Sequence, residues 1–205
     1  MPIIKEFETI DDCQVVVWEI NENLNWFQNQ VFVTDNELLD FRAISHPAKQ
    51  LEWFAGRAAL QYLVQPHSYN GLTKDKYGKP HLRSHNTQIS ISHTSKYVVI
   101  AFHKNKSIGI DLERVSEKIE RIKHKFLNLN ELSEAQDDIV KLTTYWCAKE
   151  ALYKLHGTKQ LSFKDNIKVE LTGDFFGGQI YHNSLIKDYQ LIRFWIDDFC
   201  GVLAV

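Results

Sequence analysis

The chain has 205 residues, which is enough for one large domain or two small ones. Its 24 basic and 26 acidic residues give a formal net charge of -2, which argues against a nucleic-acid partner, because nucleic-acid binders usually carry a clear basic excess. Three cysteines without a Cys-x-x-Cys spacing disfavour a disulfide framework, and no apolar run approaches the roughly 20 residues of a membrane span, so we expect a cytoplasmic protein without a membrane partner.

The first half of the chain combines strand-like and helix-like patterns. Residues 14–20 are rich in β-branched side chains and predict a strand, and apolar residues at helical spacing predict a helix from Pro47 to Val64. Three further segments have strand patterns: Ile89–Ser92, Tyr97–Phe102 and Ser107–Glu113. The tetrapeptide at residues 103–106 predicts a hairpin turn between the last two of these strands.

The second half begins with residues 116–128, which are charged and amphipathic and predict a helix. A longer helix is predicted from about Asp137 to His156, with Gly157 as its C-cap. From about Lys168 onward, three strand-like runs complete the chain.

The two long helices share a short pattern. Trp53-Phe54-Ala55-Gly56-Arg57-Ala58 and Trp146-Cys147-Ala148-Lys149-Glu150-Ala151 have Trp, Ala and Ala at the same spacing. Each helix also leads to a β-rich segment later in the chain. This repetition suggests two related α+β halves joined near residues 103–107.

Two carboxylates lie close together in the segment SIGIDLE. Asp111 and Glu113 are two residues apart, so on a strand they point to the same face about 6.6 Å from one another. Two like charges at this distance repel, and a divalent cation removes the repulsion; hard oxygen ligands favour Mg²⁺. The alternative is that one side chain faces water and pairs with a lysine.

The segment WCAKEALYK adds a third carboxylate and a cation. Glu150 and Lys154 are four residues apart and lie on one helical face, with Cβ atoms roughly 5–6 Å apart. Alone, such a pair commonly serves only to stabilise a helix. Together with Asp111 and Glu113, it provides the groups that a magnesium–diphosphate site needs.

Two further motifs carry groups that can bind phosphate. Gly78-Lys79-Pro80 predicts a turn whose lysine either presents its ammonium to a phosphate or faces solvent. Ser92 and His93 are adjacent on a predicted strand and so point to opposite faces, which disfavours a nucleophile–base pair and hence a hydrolase triad. His93 can donate to a phosphate, or pack and bond a carbonyl.

The order of these motifs resembles one family. YGKPHL (77–82), ISISHTSKY (89–97), SIGIDLE (107–113) and YWCAKEALYK (145–154) follow one another as in the 4'-phosphopantetheinyl transferase superfamily, over about residues 53–157. The length and the repeated pattern are similar to the long, single-chain Sfp-type class. The resemblance implies an α+β fold of two similar halves related by a pseudo-twofold, each a small antiparallel sheet with a packed helix, and an active site in the cleft between them.

The resemblance also implies a division of labour and a reaction. Residues 1–104 would form the coenzyme A-binding side and residues 105–205 the metal-binding side. The enzyme would transfer the 4'-phosphopantetheine group of coenzyme A to a serine of an apo acyl, peptidyl or aryl carrier protein, releasing adenosine 3',5'-bisphosphate. A monomer suffices if the site lies within one chain.

The family's site residues carry over to matching positions of this sequence. Mg²⁺, with Mn²⁺ as an alternative, would be held by Asp111, Glu113 and Glu150. Glu150 would act as the base, either directly or through a metal-bound water, and Lys154 would assist catalysis. Six residues are assigned to coenzyme A: Arg57, Lys79, Pro80, Ser92, His93 and Lys154. For Arg57 the alternative is an ordinary surface arginine.

A partner surface is implied at residues 121–129. This segment would dock the acidic helix of a carrier protein through a set of basic and apolar side chains: Arg121, Lys123, Lys125 and Phe126. The alternative is an ordinary amphipathic helix that covers the core.

Two rival functions are weaker. A catalytically inactive coenzyme A or carrier-protein binding module would not need all three carboxylates and Lys154. A metal hydrolase using His81-x-x-x-His85 lacks a third ligand nearby.

Overall fold

The computed structural model of the chain describes residues 2–9, 12–64, 68–83, 86–159, 161–171 and 175–205. They form two compact units that divide between Lys106 and Ser107, each with its own apolar core. Both units combine helices with antiparallel sheets, so the predicted α+β class is confirmed. The pseudo-twofold between the halves stays a prediction.

The first unit is built from six strands and three helices in its described part. In chain order these are β1 (Ile3–Glu8), β2 (Gln14–Glu19), α1 (Leu24–Gln30), α2 (Asp35–Arg42), α3 (Pro47–Val64), β3 (Leu72–Lys74), β4 (Pro80–Leu82), β5 (Gln88–His93) and β6 (Tyr97–His103). Four strands form an antiparallel sheet in the order β1-β2-β6-β5, and β3 and β4 form a separate hairpin. Helix α3 packs on β2, β5 and β6 and closes the core.

The second unit contains a five-stranded antiparallel sheet. Its elements are β7 (Gly109–Arg114), a 3₁₀ helix (Glu117–Ile122), α4 (Lys123–Phe126), α5 (Leu129–Ala135), α6 (Ile139–His156), β8 (Ile167–Glu170), β9 (Phe175–His182), β10 (Leu185–Ile196) and β11 (Phe199–Ala204). The strand order is β7-β11-β10-β9-β8, and α6 lies against β7 and β11.

A glycine sets the distance between α6 and β7. A Cβ atom at Gly109 would lie 1.8 Å from the carbonyl oxygen of Ala151 and 2.6 Å from the backbone nitrogen of Leu155, so no other residue fits without moving the helix. Along a strand, residues two apart share a face. The face of β7 that carries Gly109 therefore also turns Asp111 and Glu113 toward α6.

The ends of the long helices agree with the predictions. Helix α3 spans the predicted residues, and α6 begins after Asp138, whose carboxylate accepts hydrogen bonds from the backbone of Val140 and Lys141. Helix α6 ends at Gly157, whose φ of 74° lies in the left-handed region that glycine adopts at low cost.

Other predictions need correction. The hairpin at residues 103–106 is wrong, because β6 pairs with β2 and β5 whereas β7 pairs with β11. The predicted helix at 116–128 is a 3₁₀ helix followed by the single turn of α4. Four strands, not three, follow residue 166, and β1, α1 and α2 were missed.

All three cysteines are fully buried thiols. Cys13 belongs to the first unit, whereas Cys147 and Cys200 lie in the core of the second. In the described part of the chain, no helix has both the length and the apolar character needed to cross a membrane.

Candidate active site

The acidic motif of β7 is partly buried beneath α6. Asp111 is only 4% exposed, and its Oδ1 accepts a hydrogen bond from Lys154 Nζ at 2.7 Å. The same ammonium donates to the carbonyl oxygen of Ile110 at 3.0 Å. Lys154 therefore ties the second half of α6 to the middle of β7 and supplies the positive charge that a buried carboxylate requires.

Glu113 interacts with a tryptophan of the same helix. The indole Nε1 of Trp146 donates to Glu113 Oε1 at 3.3 Å. Burial, and then the charge of Asp111, raise the pKa of Glu113, whereas the Trp146 hydrogen bond and Lys154 act in the opposite direction. The indole thus stabilises the ionised form of this carboxylate.

Glu150 has the largest pKa shift among these carboxyl groups. Burial and the charges of Asp111 and Glu113 together raise the pKa of Glu150 to about 7, while Lys154 acts in the opposite direction. Because Glu150 interacts electrostatically with Asp111, Glu113 and Lys154, these side chains form one cluster of coupled charges. The structure brings together the residues predicted on β7 and α6: Asp111, Glu113, Glu150 and Lys154.

The chemistry of this cluster fits a divalent cation. It offers carboxylate oxygens, the donors that Mg²⁺ prefers. Burial is the main cause of the raised pKa values of Glu113 and Glu150, and the repulsion between carboxylates that adds to it is one that a cation relieves. Within the described residues, however, no three His, Cys, Asp or Glu side chains are already arranged as ligands of a metal ion. Lys154 provides the countercharge of Asp111 in the present arrangement.

The neighbouring Lys149 has a structural role, as its position on the helix suggests. Its side chain is completely buried and forms a 2.8 Å ion pair with Glu131. The ammonium also donates to the carbonyl oxygens of Phe163 and Ile167, at 2.8 and 2.6 Å. These bonds hold α6 to α5, to Phe163 and to the start of β8, and leave Lys149 outside the acidic cluster.

The first unit contains a cavity of about 470 Å³ whose walls carry cations. Three residues assigned to coenzyme A line it: Arg57, Pro80 and His93. Lys49 and Lys74 line it as well, and the sequence reasoning missed both. Isolated surface lysines have no distinguishing pattern, so only the fold reveals that α3 and β3 bring them to one place.

Arg57 is neither exposed nor isolated. It is 9% exposed, its Nε donates to Glu37 Oε1 at 3.0 Å, and its guanidinium carbon lies 3.3 Å from the centre of the Trp53 ring. Glu37 also accepts a 2.6 Å hydrogen bond from the hydroxyl of Tyr69. Burial lowers the pKa of Arg57, while Tyr69 and Glu37 act in the opposite direction. The interpretation of Arg57 as a surface arginine is therefore wrong.

His93 is held by a buried carboxylate. Its Nδ1 lies 2.7 Å from Glu52 Oε2, and the ammonium of Lys49 lies 2.7 Å from the same oxygen. Glu52 is buried, whereas both of its partners reach the surface of the cavity. Glu52 thus fixes two donors side by side at the cavity wall.

Comparison with known proteins finds a family match within the second unit. Residues 107–199, which contain the whole acidic cluster, match the model of the 4'-phosphopantetheinyl transferase superfamily. This segment is similar to that superfamily. The 4'-phosphopantetheinyl transferase gsp of Aneurinibacillus migulanus is 34% identical over 155 residues, which are 63% of this chain and 62% of that protein. The resemblance of the motifs to the superfamily is thereby confirmed.

Two other residues assigned from the superfamily's motifs, Lys79 and Ser92, are not among the described residues that line the cavity of about 470 Å³. The backbone nitrogen of Lys79 donates to Asp75 Oδ1 at 2.9 Å within the turn before β4, and burial lowers the pKa of its ammonium. Ser92 is buried, whereas its neighbour His93 is exposed, as expected for opposite faces of β5. Contacts of Lys79 and Ser92 with coenzyme A stay predictions.

The structure gives little support to a metal site at the histidine pair of the rival hydrolase. His81 Nε2 lies 3.6 Å from Asp75 Oδ2, in the hairpin of β3 and β4. His85 lies outside the described residues.

The proposed carrier surface of the superfamily needs one correction. Phe126 is only 1% exposed and packs against the ring of Trp146 with centroids 5.1 Å apart, so its assignment to docking is wrong. The sequence alone does not show whether an apolar residue after a basic turn faces a partner or the core. Lys123 bonds to Asp137, whereas Arg121 and Lys125 are exposed.

Proposed function

We propose that this protein transfers 4'-phosphopantetheine from coenzyme A to a serine of an apo carrier protein, and releases adenosine 3',5'-bisphosphate. The observation that carries this proposal is the cluster of three carboxylates and Lys154 on β7 and α6. The cluster lies within the segment that matches the superfamily. The name of the similar Aneurinibacillus migulanus protein supports the same activity.

We assign Asp111, Glu113 and Glu150 to a magnesium ion. Their oxygens are suitable ligands, and a bound cation would relieve the repulsion between their negative charges. When bound, Mg²⁺ supplies positive charge that polarises the diphosphate and offsets the charge that develops on the leaving phosphate. Trp146 would favour the ionised form of Glu113 against the effect of burial, because its N–H donates to that carboxylate.

Glu150 would accept the proton of the attacking serine. The serine Oγ forms a bond to the β-phosphorus while its proton moves to the Glu150 carboxylate. The bond from that phosphorus to the oxygen that bridges to the α-phosphorus breaks, and its electron pair leaves with adenosine 3',5'-bisphosphate. In the metal-free chain the pKa of Glu150 is about 7, so its surroundings make it a stronger base than an ordinary carboxylate.

Lys154 would balance charge during transfer. Its ammonium is partly exposed while it bonds to Asp111, so the same group can also face a phosphate oxygen. A lysine is suited to this role because it acts as a compact charge with three donors.

The cationic cavity of the first unit would hold phosphate groups of coenzyme A. Lys49, Arg57, Lys74 and His93 surround it, and Pro80 completes one wall. The carboxylate of Glu52 orients His93. Its negative charge is balanced by Lys49, which bonds to the same oxygen. Lys79 and Ser92 are assigned to the same substrate by resemblance alone.

Carrier docking would use the exposed part of residues 121–129. Arg121 and Lys125 supply positive charge for an acidic helix. Leu129, at the start of α5, is 79% exposed and supplies the apolar contact that Phe126 does not. Arg121→Glu combined with Lys125→Glu should therefore raise KM for the carrier and leave KM for coenzyme A unchanged.

The decisive experiment is incubation with coenzyme A, Mg²⁺ and a panel of apo carrier proteins, followed by intact-mass measurement. A carrier should gain one phosphopantetheine with the wild-type chain and none with Asp111→Ala. Asp188→Ala, which removes an exposed carboxylate from β10 of the same unit, is the matched control and should transfer normally. Binding of coenzyme A without any transfer would instead favour the inactive binding module.

A further inference from the structure

A second cavity of the first unit is lined by none of the residues assigned to coenzyme A. It has a volume of about 780 Å³ and lies among the start of the chain, α1 and the second half of α3. Its aromatic walls are Trp18, Trp26 and Tyr62. A volume of this size is typical of sites for small organic ligands, roughly 300–1,000 Å³.

The aromatic rings form inclined walls. The ring centroids of Trp18 and Trp26 are 6.4 Å apart, with an angle of 52° between the planes. Trp18 is buried, whereas Trp26 is 38% exposed, so one indole forms the base and the other reaches the opening. Indole faces carry negative electrostatic potential and attract organic cations within about 6 Å.

The charge of the lining has one sign. Among the described residues that line the cavity, Glu22 is the one ionisable acid, and none is a lysine, arginine or histidine. Glu22 Oε2 accepts hydrogen bonds from the indole Nε1 of Trp18 and the backbone nitrogen of Asn21, both at 3.3 Å. The carboxylate is thus fixed beside an aromatic wall, and an anionic ligand such as coenzyme A would be repelled.

Two other polar side chains of the lining form hydrogen bonds with groups outside it. The side-chain amide of Gln61 exchanges two hydrogen bonds with the backbone of Phe32, at 3.1 and 2.7 Å. The hydroxyl of Tyr62 donates to Glu6 Oε2 at 3.0 Å. These side chains therefore present mainly their apolar parts to the cavity, beside Val31 and Ala58.

We propose that this cavity binds a small organic cation with an apolar body, of the class of quaternary ammonium compounds and arylalkyl amines. The cationic centre lies between the indole faces and the Glu22 carboxylate, and the apolar body contacts Val31 and Ala58. The proposal is independent of the transfer reaction, because none of the residues assigned to that reaction lines this cavity.

Isothermal titration of the full chain with three probes of similar size tests the proposal. Benzyltrimethylammonium should bind with 1:1 stoichiometry, benzyl alcohol at least about tenfold more weakly, and benzenesulfonate not detectably. Ionic strength is held constant among the titrations. Absence of benzyltrimethylammonium binding overturns the proposal, and equal binding of benzyl alcohol overturns the role of charge.

Variants locate the site. Glu22→Gln and Trp26→Ala should each weaken benzyltrimethylammonium binding by about tenfold. Trp195→Ala is the matched control, because Trp195 is also 38% exposed but lies on β10 of the second unit; it should bind as the wild type does. Trp26→Phe, which keeps a ring, should show an intermediate loss if Trp26→Ala proves unstable. Undiminished binding in both Glu22→Gln and Trp26→Phe would overturn the assignment.

Discussion

Glu150, the proposed base, has a charge that acts against the stability of the fold. Its folded-state pKa of about 7 exceeds the ordinary value of 4.5, because burial and two neighbouring carboxylates disfavour its charge. Such a group stabilises the fold fully below pH 4.5, and this contribution is lost as the pH rises through 7. The cost in free energy of unfolding is therefore greatest above pH 7, where Glu150 is ionised and able to act as a base.

Glu150→Gln should therefore stabilise the metal-free protein at alkaline pH. In EDTA at pH 8, we expect the free energy of unfolding to rise by on the order of 2 kcal/mol, with little change at pH 4.5. Urea unfolding at both pH values measures the difference. An equal effect at both values would show that ionisation of Glu150 is not its cause. The same variant should lose transfer activity.

Trp146 offers a separate test of the cluster. Trp146→Phe keeps a ring beside Phe126 and Phe163 but removes the N–H that donates to Glu113. The pKa of Glu113 should then rise further, so the acid limb of the pH–activity profile should move to higher pH. The profile of kcat/KM against pH measures this shift. Trp195→Phe, on exposed β10, should leave it unchanged; an unshifted profile in Trp146→Phe would remove the positioning role.

At the scale of single residues, the sequence revealed some partners and hid others. The spacing of Asp111 and Glu113 on a strand was sufficient to predict that they share a face. The environment of Arg57 was hidden, because its partner Glu37 is 20 residues away on a helix that the pattern did not predict. The burial of Phe126 was hidden for a similar reason, since its contact with Trp146 depends on how α4 packs.

At the scale of elements, the contact of β7 with α6 positions the site. The strand provides two carboxylates, the helix provides Glu150 and Lys154, and Gly109 lets their backbones approach. The bond from Lys154 to Asp111 therefore depends on a residue that carries no side chain.

Gly109→Ala should consequently disturb both stability and activity. The added methyl group would overlap the backbone of α6, and we expect a loss of about 3 kcal/mol in the free energy of unfolding. Urea unfolding measures it. Gly177→Ala is the matched control, because a Cβ atom there meets nothing within 4 Å, and its stability should be nearly unchanged. Equal stability of the two variants would contradict the close approach of α6 and β7.

The long helices and most strands were predictable because their patterns extend over enough residues to be distinctive. Helices α1 and α2 have seven and eight residues and lack a long apolar stripe, so they were missed. The hairpin at 103–106 was predicted wrongly because turn-like residues do not specify which strands pair. That choice depends on the separate sheets of the two units.

At the scale of the whole molecule, the proposed magnesium site would link cation binding, protons and stability. If Glu150 is a ligand, Mg²⁺ competes with a proton there, so it should bind more tightly above pH 7 than below. We expect saturating MgCl₂ to raise the Tm at pH 8 and to raise it less at pH 6, as measured by scanning calorimetry. Asp111→Asn should abolish the increase at both pH values, whereas an undiminished increase would place the cation elsewhere.

The three buried thiols provide natural reporters of opening in each unit. A thiol that is sealed in a core reacts with a maleimide only when its surroundings unfold, so alkylation rates measure local unfolding directly. Modification of Cys13 would record opening of the first unit, and modification of Cys147 or Cys200 would record opening of the second. Mass spectrometry of partly alkylated protein would therefore show which half loosens first, without any introduced label.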